Sequence, residues 1–175
     1  MDQEKLDKIL KLHEKWLNSE DGGIKADFCG KNLEGANIPG ANLRGANFLG
    51  ANLEGANLRG VNLRSVNLCG VNLSDSNLRD SNLSGAYYNL HNILQIQFTN
   101  LDCITEAMKH DAANHPKPEL FDEWAKGGAC PYQKYPNTRL INGFMPHREF
   151  WKPGKPKTNL WELWLMIAKS ENITL

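Results

Sequence analysis

A five-residue period is the feature that most constrains how this chain folds. From residue 26 to residue 85 it divides without interruption into the blocks ADFCG, KNLEG, ANIPG, ANLRG, ANFLG, ANLEG, ANLRG, VNLRS, VNLCG, VNLSD, SNLRD and SNLSG. The third position is always large and apolar, and the second is asparagine except at Asp27. A strand pattern repeats every two residues and a helical pattern about every 3.6, so this period predicts neither element. Glycine or a short polar residue at the fifth position predicts a tight turn in every block.

A turn in every block predicts a closed coil. If each block is one straight edge followed by a corner, the small first residue and the large third residue both point inward. Four such edges close a square, so residue n should lie one strand from residue n−20. Phe28 and Phe48, the aromatic third positions of these blocks, are spaced in this way.

The block A-N-L-x-G resembles the repeat of the pentapeptide-repeat family. The resemblance covers residues 26–85 and fades through 86–105, and it implies an all-β core that forms a right-handed quadrilateral β-helix. We expect residues 86–105 to continue as a degenerate fourth coil, with the blocks AYYNL, HNILQ, IQFTN and LDCIT. The expected core stack is Phe28, Phe48, Leu68 and Tyr88; Leu33, Leu53, Leu73 and Ile93; Ile38, Leu58, Leu78 and Phe98; and Leu43, Leu63 and Leu83.

Both ends of such a column need a cover, because an open β edge pairs with other chains. Residues 1–25 are expected to form a helical cap, since apolar residues recur at helical spacing before Asp21-Gly22-Gly23 interrupts the pattern. His13 is interpreted as a helix residue near a packed edge, and Trp16 is expected to pack on the first coil. The apolar series consists of Leu6, Ile9, Leu10, His13 and Leu17.

Residues 106–175 lack the repeat and are expected to form a separate small module, rich in tryptophan and proline, of helices and loops. One helix is predicted from Thr105, as its N-cap, to Ala113, and a second over 119–126. Asn159 and Glu162 predict a capping box for a last helix, Leu160–Lys169. That helix is apolar nearly all round, so we expect Trp161, Trp164 and Leu165 to be mostly buried, within the chain or at a homodimer contact.

Charge and cysteine content narrow the possible partners. The formal net charge is zero, which removes the long-range attraction expected for a nucleic-acid or membrane partner. No apolar run is long enough to span a bilayer, and the start MDQEKLDKIL is unlike a signal peptide. Four cysteines lie far apart without a CxxC pair, a pattern typical of reduced thiols. We therefore expect a cytoplasmic protein that uses no cofactor.

Two chemical alternatives involve residues that follow the clean repeats. Thiolate and imidazole are the ligands that zinc favours, and four residues there, at poor spacing, form a candidate set: Cys103, His110, His115 and Cys130. Cys130, His147 and Asp122 are the residue types of a cysteine hydrolase, although GGACPY is no recognisable nucleophile motif. Both alternatives have simpler interpretations, with Cys103 inside the coil and the histidines in a helix and a turn.

The fourth residue of each block points outward and forms four stripes, one on each side of the square. The basic residues Arg44, Arg59, Arg64 and Arg79 could meet an anionic partner, and the apolar stripe Cys29, Leu49 and Cys69 could be covered by the C-terminal module or by another subunit. The remaining stripe is acidic, with Glu34 and Glu54. These two sets form the candidate partner-binding surface.

The sequence therefore predicts a non-catalytic protein-interaction or scaffold protein of the pentapeptide-repeat type. A branch of that family protects DNA gyrase by resembling DNA, so a DNA-mimicking modulator of gyrase or topoisomerase is the alternative. Mimicry of DNA needs a long, strongly negative rod, and this segment has equal numbers of acids and bases. They are Asp27, Glu34, Glu54, Asp75 and Asp80 against Lys31, Arg44, Arg59, Arg64 and Arg79.

Overall fold

The structure, a computed structural model, describes residues 1–127 and 151–175. A helix at the N-terminal end leads into the repeats, and four helices follow them in the described part of the chain. The helices are α1 (Gln3–Leu17), α2 (Leu90–Ile93), α3 (Leu101–Asn114), α4 (Glu119–Ala125) and α5 (Leu160–Ser170).

The repeats stack as a coil with a rise of one strand every twenty residues. Each edge makes an isolated parallel bridge through its second residue: Asp27 with Asn47, Asn47 with Asn67, and so on around all four sides. The backbone N–H of Phe28 donates to the Asn47 carbonyl at 2.8 Å, and the Asn47 N–H donates to the Ala26 carbonyl at 3.1 Å. We call the four sides face 1 (26–29, 46–49, 66–69), face 2 (31–34, 51–54, 71–74), face 3 (36–39, 56–59, 76–79) and face 4 (41–44, 61–64, 81–84).

The asparagine at the second position serves two hydrogen-bonding roles, which explains why it recurs. Its side-chain oxygen accepts the N–H two residues later, as Asn52 does from Glu54 at 3.1 Å, and so forms the local turn. In the second coil its amide also donates to the residue one coil below, as Asn57 does to Asn37 at 2.8 Å. The side chains of this coil therefore tie each corner to its own coil and to the first coil.

The corner at the fifth position requires the left-handed backbone region. Glycine fills it in most blocks, and the other corners reach the same geometry, with φ of 56° at Ser65, 56° at Asp75 and 61° at Asp80. An L-residue with a side chain is strained there, whereas glycine is not. A Cβ added at Gly45 or Gly55 would meet no atom within 4 Å, so backbone strain rather than space favours glycine at these corners.

The interior of the coil is a continuous apolar column. The third-position side chains of all twelve blocks are at most 3% exposed, including Leu53 and Leu58 at 0%. The rings of Phe28 and Phe48 stack with their centroids 4.8 Å apart, one coil from each other. The small first-position residues become fully buried from Ala46 onward, so each coil fills its centre with alternating large and small side chains.

The expected fourth coil over residues 86–105 is wrong beyond its first edge. Tyr87 still bridges Asn67, and the half-buried Tyr88 still packs against the core, but the chain then turns into α2. Ile93 is buried in that helix, and Phe98 is half-buried in the segment before α3. No glycine occurs between Gly85 and Gly127, so these blocks lack the residue that makes the corner.

Separate segments cover the last repeat coil instead. Gln95 and Gln97 bond to the backbone of Asp75 and Ser76 at 2.9 and 2.8 Å on the corner after face 2. The last residues of the chain then run along face 4, where Thr174 forms a parallel bridge with Asn82. The tail 171–175 therefore supplies an edge that the repeat pattern does not.

The helices after the repeats differ from the sequence prediction at one capping site and agree with it at another. α3 begins at Leu101, because Asn100 rather than Thr105 is the N-cap and accepts the N–H of Cys103 at 3.0 Å. The capping box of α5 is present as predicted: Asn159 and Glu162 exchange hydrogen bonds of 2.9 and 2.8 Å.

α5 lies over the last coil with one side only, so Trp164 is buried as expected, whereas Trp161 and Leu165 are not buried within the chain. Leu163, Trp164 and Ile167 are fully buried, and the indole N–H of Trp164 donates to the Tyr88 hydroxyl at 3.1 Å. Trp161 remains 48% exposed and Leu165 42% exposed. The end of the coil covers α5 on one side only. Apolar residues on the other side of this helix therefore stay exposed in a single chain.

α1 closes the other end of the coil. Its Leu6 and His13 are buried against the first repeats, whereas Trp16 is 40% exposed and stacks on the His13 ring at 5.3 Å, so the expected packing of Trp16 on the coil is incomplete. The Nδ1 atom of His13 accepts the Ala26 N–H at 3.1 Å. Burial lowers the pKa of His13, partly opposed by the nearby Arg44 backbone, with the Lys25 charge lowering it further.

Replacement of Leu58 by alanine tests the register. Because Leu58 is fully buried, Leu58→Ala should lower the free energy of unfolding by about 2–5 kcal/mol. Leu49→Ala is the matched control, since Leu49 belongs to the same repeat array but is 49% exposed. Chemical denaturation measures both, and equal effects of the two substitutions would contradict the register.

His13 should make the N-terminal cap sensitive to acid. The unfolded chain takes up a proton at His13 near the ordinary pKa of 6.5, and the folded chain only at a lower pH. The stability from the neutral ring is therefore complete above pH 6.5 and falls as the pH is lowered below that value. The melting temperature of wild type minus that of His13→Gln should decrease over this range. A constant difference would show that His13 does not titrate with folding.

Candidate interaction faces of the coil

Face 1 is almost free of charge on its outer side. Among the outward second and fourth positions of its coils, Asp27 carries the sole charge. Leu49 is 49% exposed, and Tyr87, which extends this face by one strand, is 70% exposed. Cys29 and Cys69 are free, exposed thiols on the same face. A column of exposed leucine, tyrosine and thiol groups therefore runs along the coil.

The lower end of face 1 continues this apolar character. Ile24, two residues before the first block, is 60% exposed. Lys25 extends its ammonium group over the exposed Trp16 ring, 5.7 Å from the centroid. Residues Trp16, Ile24, Leu49 and Tyr87 account for much of the exposed apolar surface that the structure describes. Face 1 and the residues at both of its ends therefore expose mainly apolar groups.

The C-terminal module does not cover this stripe within the described residues. Cys29, Leu49 and Cys69 are all exposed, so the described residues of that module, 106–127 and 151–175, do not cover them. The described part of that module lies over the end of the coil rather than beside it, because α5 and the tail 171–175 bond to the last repeats. Cover by another protein remains a prediction.

The basic residues occupy faces 3 and 4. Arg59 pairs with Asp80 at 3.0 Å, and Asp80 also accepts a hydrogen bond from Asn172 at 3.1 Å. The Asn172 bond and then the Arg59 bond hold the pKa of Asp80 below its usual value. Since the Arg59 side chain is 61% exposed, this ion pair contributes little to stability.

Arg44 and Arg64 lie one coil apart on face 4. Both are exposed, and neither forms an ion pair among the described residues. On face 2, Glu54 accepts the side-chain amide of Asn72 at 3.1 Å, and Glu34 is exposed. The repeats therefore carry acidic residues on face 2 and basic residues on faces 3 and 4, and their charges balance.

The candidate metal ligands lie in different environments. Cys103 is buried in α3 with its sulfur 3.8 Å from the Ser170 hydroxyl, and burial raises its pKa, which disfavours a thiolate. His110 faces the Thr158 hydroxyl at 3.4 Å, and His115 accepts the Lys117 N–H at 3.0 Å. Within residues 1–127 and 151–175, no three side chains of the ligating types are grouped to hold a metal ion. Cys130 lies outside the described residues.

The proposed hydrolase set is likewise not assembled in the described structure. Asp122 accepts the indole N–H of Trp151 at 2.8 Å, so its carboxylate serves the packing of α4. Cys130 and His147 lie outside the described residues. The described geometry therefore gives this alternative no support.

Sequence reasoning missed two buried carboxylates that fasten the C-terminal module. Glu106 accepts the N–H groups of Thr158 and Lys157, the former at 2.7 Å. Burial works to raise the pKa of Glu106, but these hydrogen bonds outweigh it and lower that pKa. Glu171 accepts the N–H of Thr99 at 2.7 Å. Neither residue belongs to a motif, and their partners lie about fifty and seventy residues away in sequence, so no local pattern could reveal them.

Comparison with protein families identifies the repeats. The family of pentapeptide repeats matches residues 26–64 and 46–85, in eight copies. Residues 26–85, about a third of the chain, are therefore pentapeptide repeats. A comparison with curated proteins found no match. None of the described helices is long and apolar enough to cross a membrane.

Three solved structures of pentapeptide repeat proteins are similar to this segment. HetL, from the cyanobacterium Nostoc sp. strain PCC 7120 and involved in heterocyst differentiation regulation, is 36% identical over 38% of this chain and 32% of its own, with a TM-score of 0.36. Rfr23 from Cyanothece 51142 is 42% identical over 37% and 41%, with a TM-score of 0.28. A protein from the thylakoid lumen of Arabidopsis thaliana is 33% identical over 35% and 46%, with a TM-score of 0.27. The chain spans less than half the length of each.

The oxidation state and reactivity of the two thiols of face 1 test the coil register. Cys29 and Cys69 are two strand spacings apart, about 9.6 Å, which exceeds the reach of a disulfide. Both should therefore stay reduced under mild oxidation and react quickly with a maleimide in the native protein. Cys103, which is buried, should react only after unfolding. Peptide mapping by mass spectrometry separates the sites, and an intramolecular bond between Cys29 and Cys69 would contradict the register.

Proposed function

We propose that this protein is a non-catalytic protein-interaction scaffold and that face 1 is the surface on which a protein partner docks. The observation that carries the proposal is the contrast between faces: face 1 exposes Leu49, Tyr87 and two thiols with one charge, while the other three faces carry arginines or acids. Depletion of charge with enrichment of aromatic residues is the composition of an interface core.

The coil suits this role because it presents its surface without much conformational freedom. Each edge of the middle coil is bonded above and below, and the asparagine side chains fix the corners. A rigid surface loses little entropy when a partner binds, so more of the contact energy is retained as affinity. Tyr87, the most exposed aromatic residue of face 1, has the properties of an anchor for such a contact.

An anionic partner on the basic faces is a separate possibility, supported by Arg44 and Arg64, which have no ion pair among the described residues. DNA mimicry finds less support, since five acids and five bases balance within the repeats. We favour face 1 because apolar surface left in water has a larger cost than exposed arginine.

The proposal includes three finer points. The coil is right-handed and four-sided, as the resemblance of its repeats implies. Members of the family are generally non-catalytic, which agrees with a protein that acts by binding. Free, exposed cysteines favour a reducing compartment, so we place the protein in the cytoplasm.

Capture from a cell extract with face-specific variants tests the proposal. Leu49→Glu and Tyr87→Glu each put a charge at the centre or upper end of face 1, so partner capture should fall at least about tenfold. Arg64→Glu, an exposed change on face 4, is the matched control and should leave capture unchanged. Quantitative mass spectrometry of the captured proteins gives the measurement.

Other results of this experiment would lead to different conclusions. Loss of capture with Arg64→Glu and retention with Leu49→Glu would move the binding site to the basic faces. Turnover of a small-molecule substrate by the purified protein would contradict the non-catalytic assignment. Circular dichroism and melting curves confirm that each variant keeps the coil, because all three positions are exposed.

A further inference from the structure

Lys31 breaks the pattern of the repeats at the lower end of the coil. The first position of a block holds alanine, valine or serine in the other eleven blocks, whereas the second block begins with this lysine. Lys31 is exposed and lines a groove between α1 and the first coil. A departure from an otherwise regular pattern is expected where a function, and not folding alone, determines the residue. The interaction proposed for face 1 makes no use of this groove.

Positive charge gathers around the groove, which has a volume of about 640 Å³. Lys5 and Lys8 line it from α1, and Lys31 lines it from the coil. None of the three forms an ion pair among the residues that the structure describes. Asp2, the one acid of the lining, already accepts the Lys5 backbone N–H at 2.8 Å as the N-cap of α1. Three ammonium groups in one place repel one another, so a bound anion would relieve this repulsion.

The floor of the groove is apolar. It is formed by Ile9 and Leu12, which are half-buried and lie three residues apart on one side of α1. Ile9 also packs against the core of the coil, so the floor belongs to the folded structure. The volume of the groove lies within the range of small-molecule sites, about 300 to 1,000 Å³. Cations around an apolar floor match a ligand that has an anionic end and an aliphatic chain.

We propose that this groove binds a small amphiphilic anion, an unbranched aliphatic chain that ends in a carboxylate or a phosphate group. The ammonium groups of Lys5, Lys8 and Lys31 surround the anionic end and form charge-assisted hydrogen bonds with it. The chain lies on Ile9 and Leu12, where each methylene group that leaves water adds to the affinity.

A compact anion fits the surroundings better than an acidic protein segment or a membrane. Glu4 and Asp7 on α1 and Glu34 on the first coil are exposed, so they would repel a polyanion that extends beyond the groove. A membrane-binding helix is rich in Lys and Arg on its polar side, whereas the lysines of α1 alternate with Glu4, Asp7 and Glu14.

Isothermal titration calorimetry of the full chain tests the ligand class. Dodecanoate and dodecyl phosphate, each below its micelle concentration, should bind at one site, and the tighter of the two identifies the preferred anionic group. Octanoate should bind at least about tenfold more weakly than dodecanoate, because it buries fewer methylene groups. Dodecyl maltoside, which has the same chain and no charge, should also bind at least about tenfold more weakly.

Replacement of Lys31 by alanine separates binding from folding. Alanine restores the repeat pattern, so Lys31→Ala should keep the melting temperature of the wild type while it weakens dodecanoate binding about tenfold. Lys8→Gln should weaken binding by a similar factor. Lys11→Gln is the matched control, because Lys11 is also exposed on α1 but lines a different groove, and it should leave the affinity unchanged.

Three results would overturn the proposal: no saturable binding of either anion up to about 1 mM, equal affinity for dodecyl maltoside, or equal effects of Lys8→Gln and Lys11→Gln. Tighter binding to phosphatidylglycerol vesicles or to a polyglutamate peptide than to the monomeric anions would also overturn it, in favour of a membrane or an acidic protein. If Lys31→Ala aggregates but binds dodecanoate normally, Lys31 only protects the β edge from other chains.

These outcomes are separable from those of the proposed function. Leu49 and Tyr87 lie outside the groove, so Leu49→Glu and Tyr87→Glu should leave dodecanoate binding unchanged. Lys31→Ala should in turn leave partner capture unchanged. Loss of one activity with retention of the other therefore assigns each failure to its own surface.

Discussion

The bond between residue n and residue n+20 is the interaction on which the rest of the structure depends. It brings the third-position side chains into one column, and it lets the asparagine side chains of the second coil bond to those of the first. No single edge could persist in water, since it pairs with each neighbouring coil through an isolated bridge. The array is stable because each coil is the template for the next, as in other repeat proteins. The faces inherit their stiffness from this lattice.

The sequence predicts those parts of the fold that a regular repeat or a short local pattern encodes, and it does not predict contacts between distant residues. The register, the buried Leu58 and the capping box at Asn159 follow from patterns within a few residues or at a fixed spacing. The end of the coil does not, because the tail 171–175 reaches face 4 through contacts about ninety residues apart. Likewise, the pairing of Glu106 with Thr158 leaves no local signal.

The candidate interaction surfaces were also predictable where they follow from the repeat period and unpredictable where they depend on long-range packing. The stripes of face 1 and of the basic faces could be placed from the five-residue period alone, because an outward position stays outward in every coil. Which stripe the C-terminal module covers could not, since this depends on how α5 docks on the last coil. Trp161 shows the limit: its helix was predicted correctly, but its exposure depends on which side of that helix meets the coil.

The tail on face 4 has a consequence for how the protein is made. Each coil of the repeats needs only the preceding twenty residues, so the array can form progressively as the chain leaves the ribosome. Asp80 meets Asn172, however, only after 92 further residues, a delay of roughly 5 to 20 s at ordinary rates of synthesis. During that interval the upper edge of the last coil is exposed. A nascent chain that stalls before this point therefore presents a free β edge to whatever folding factors surround it.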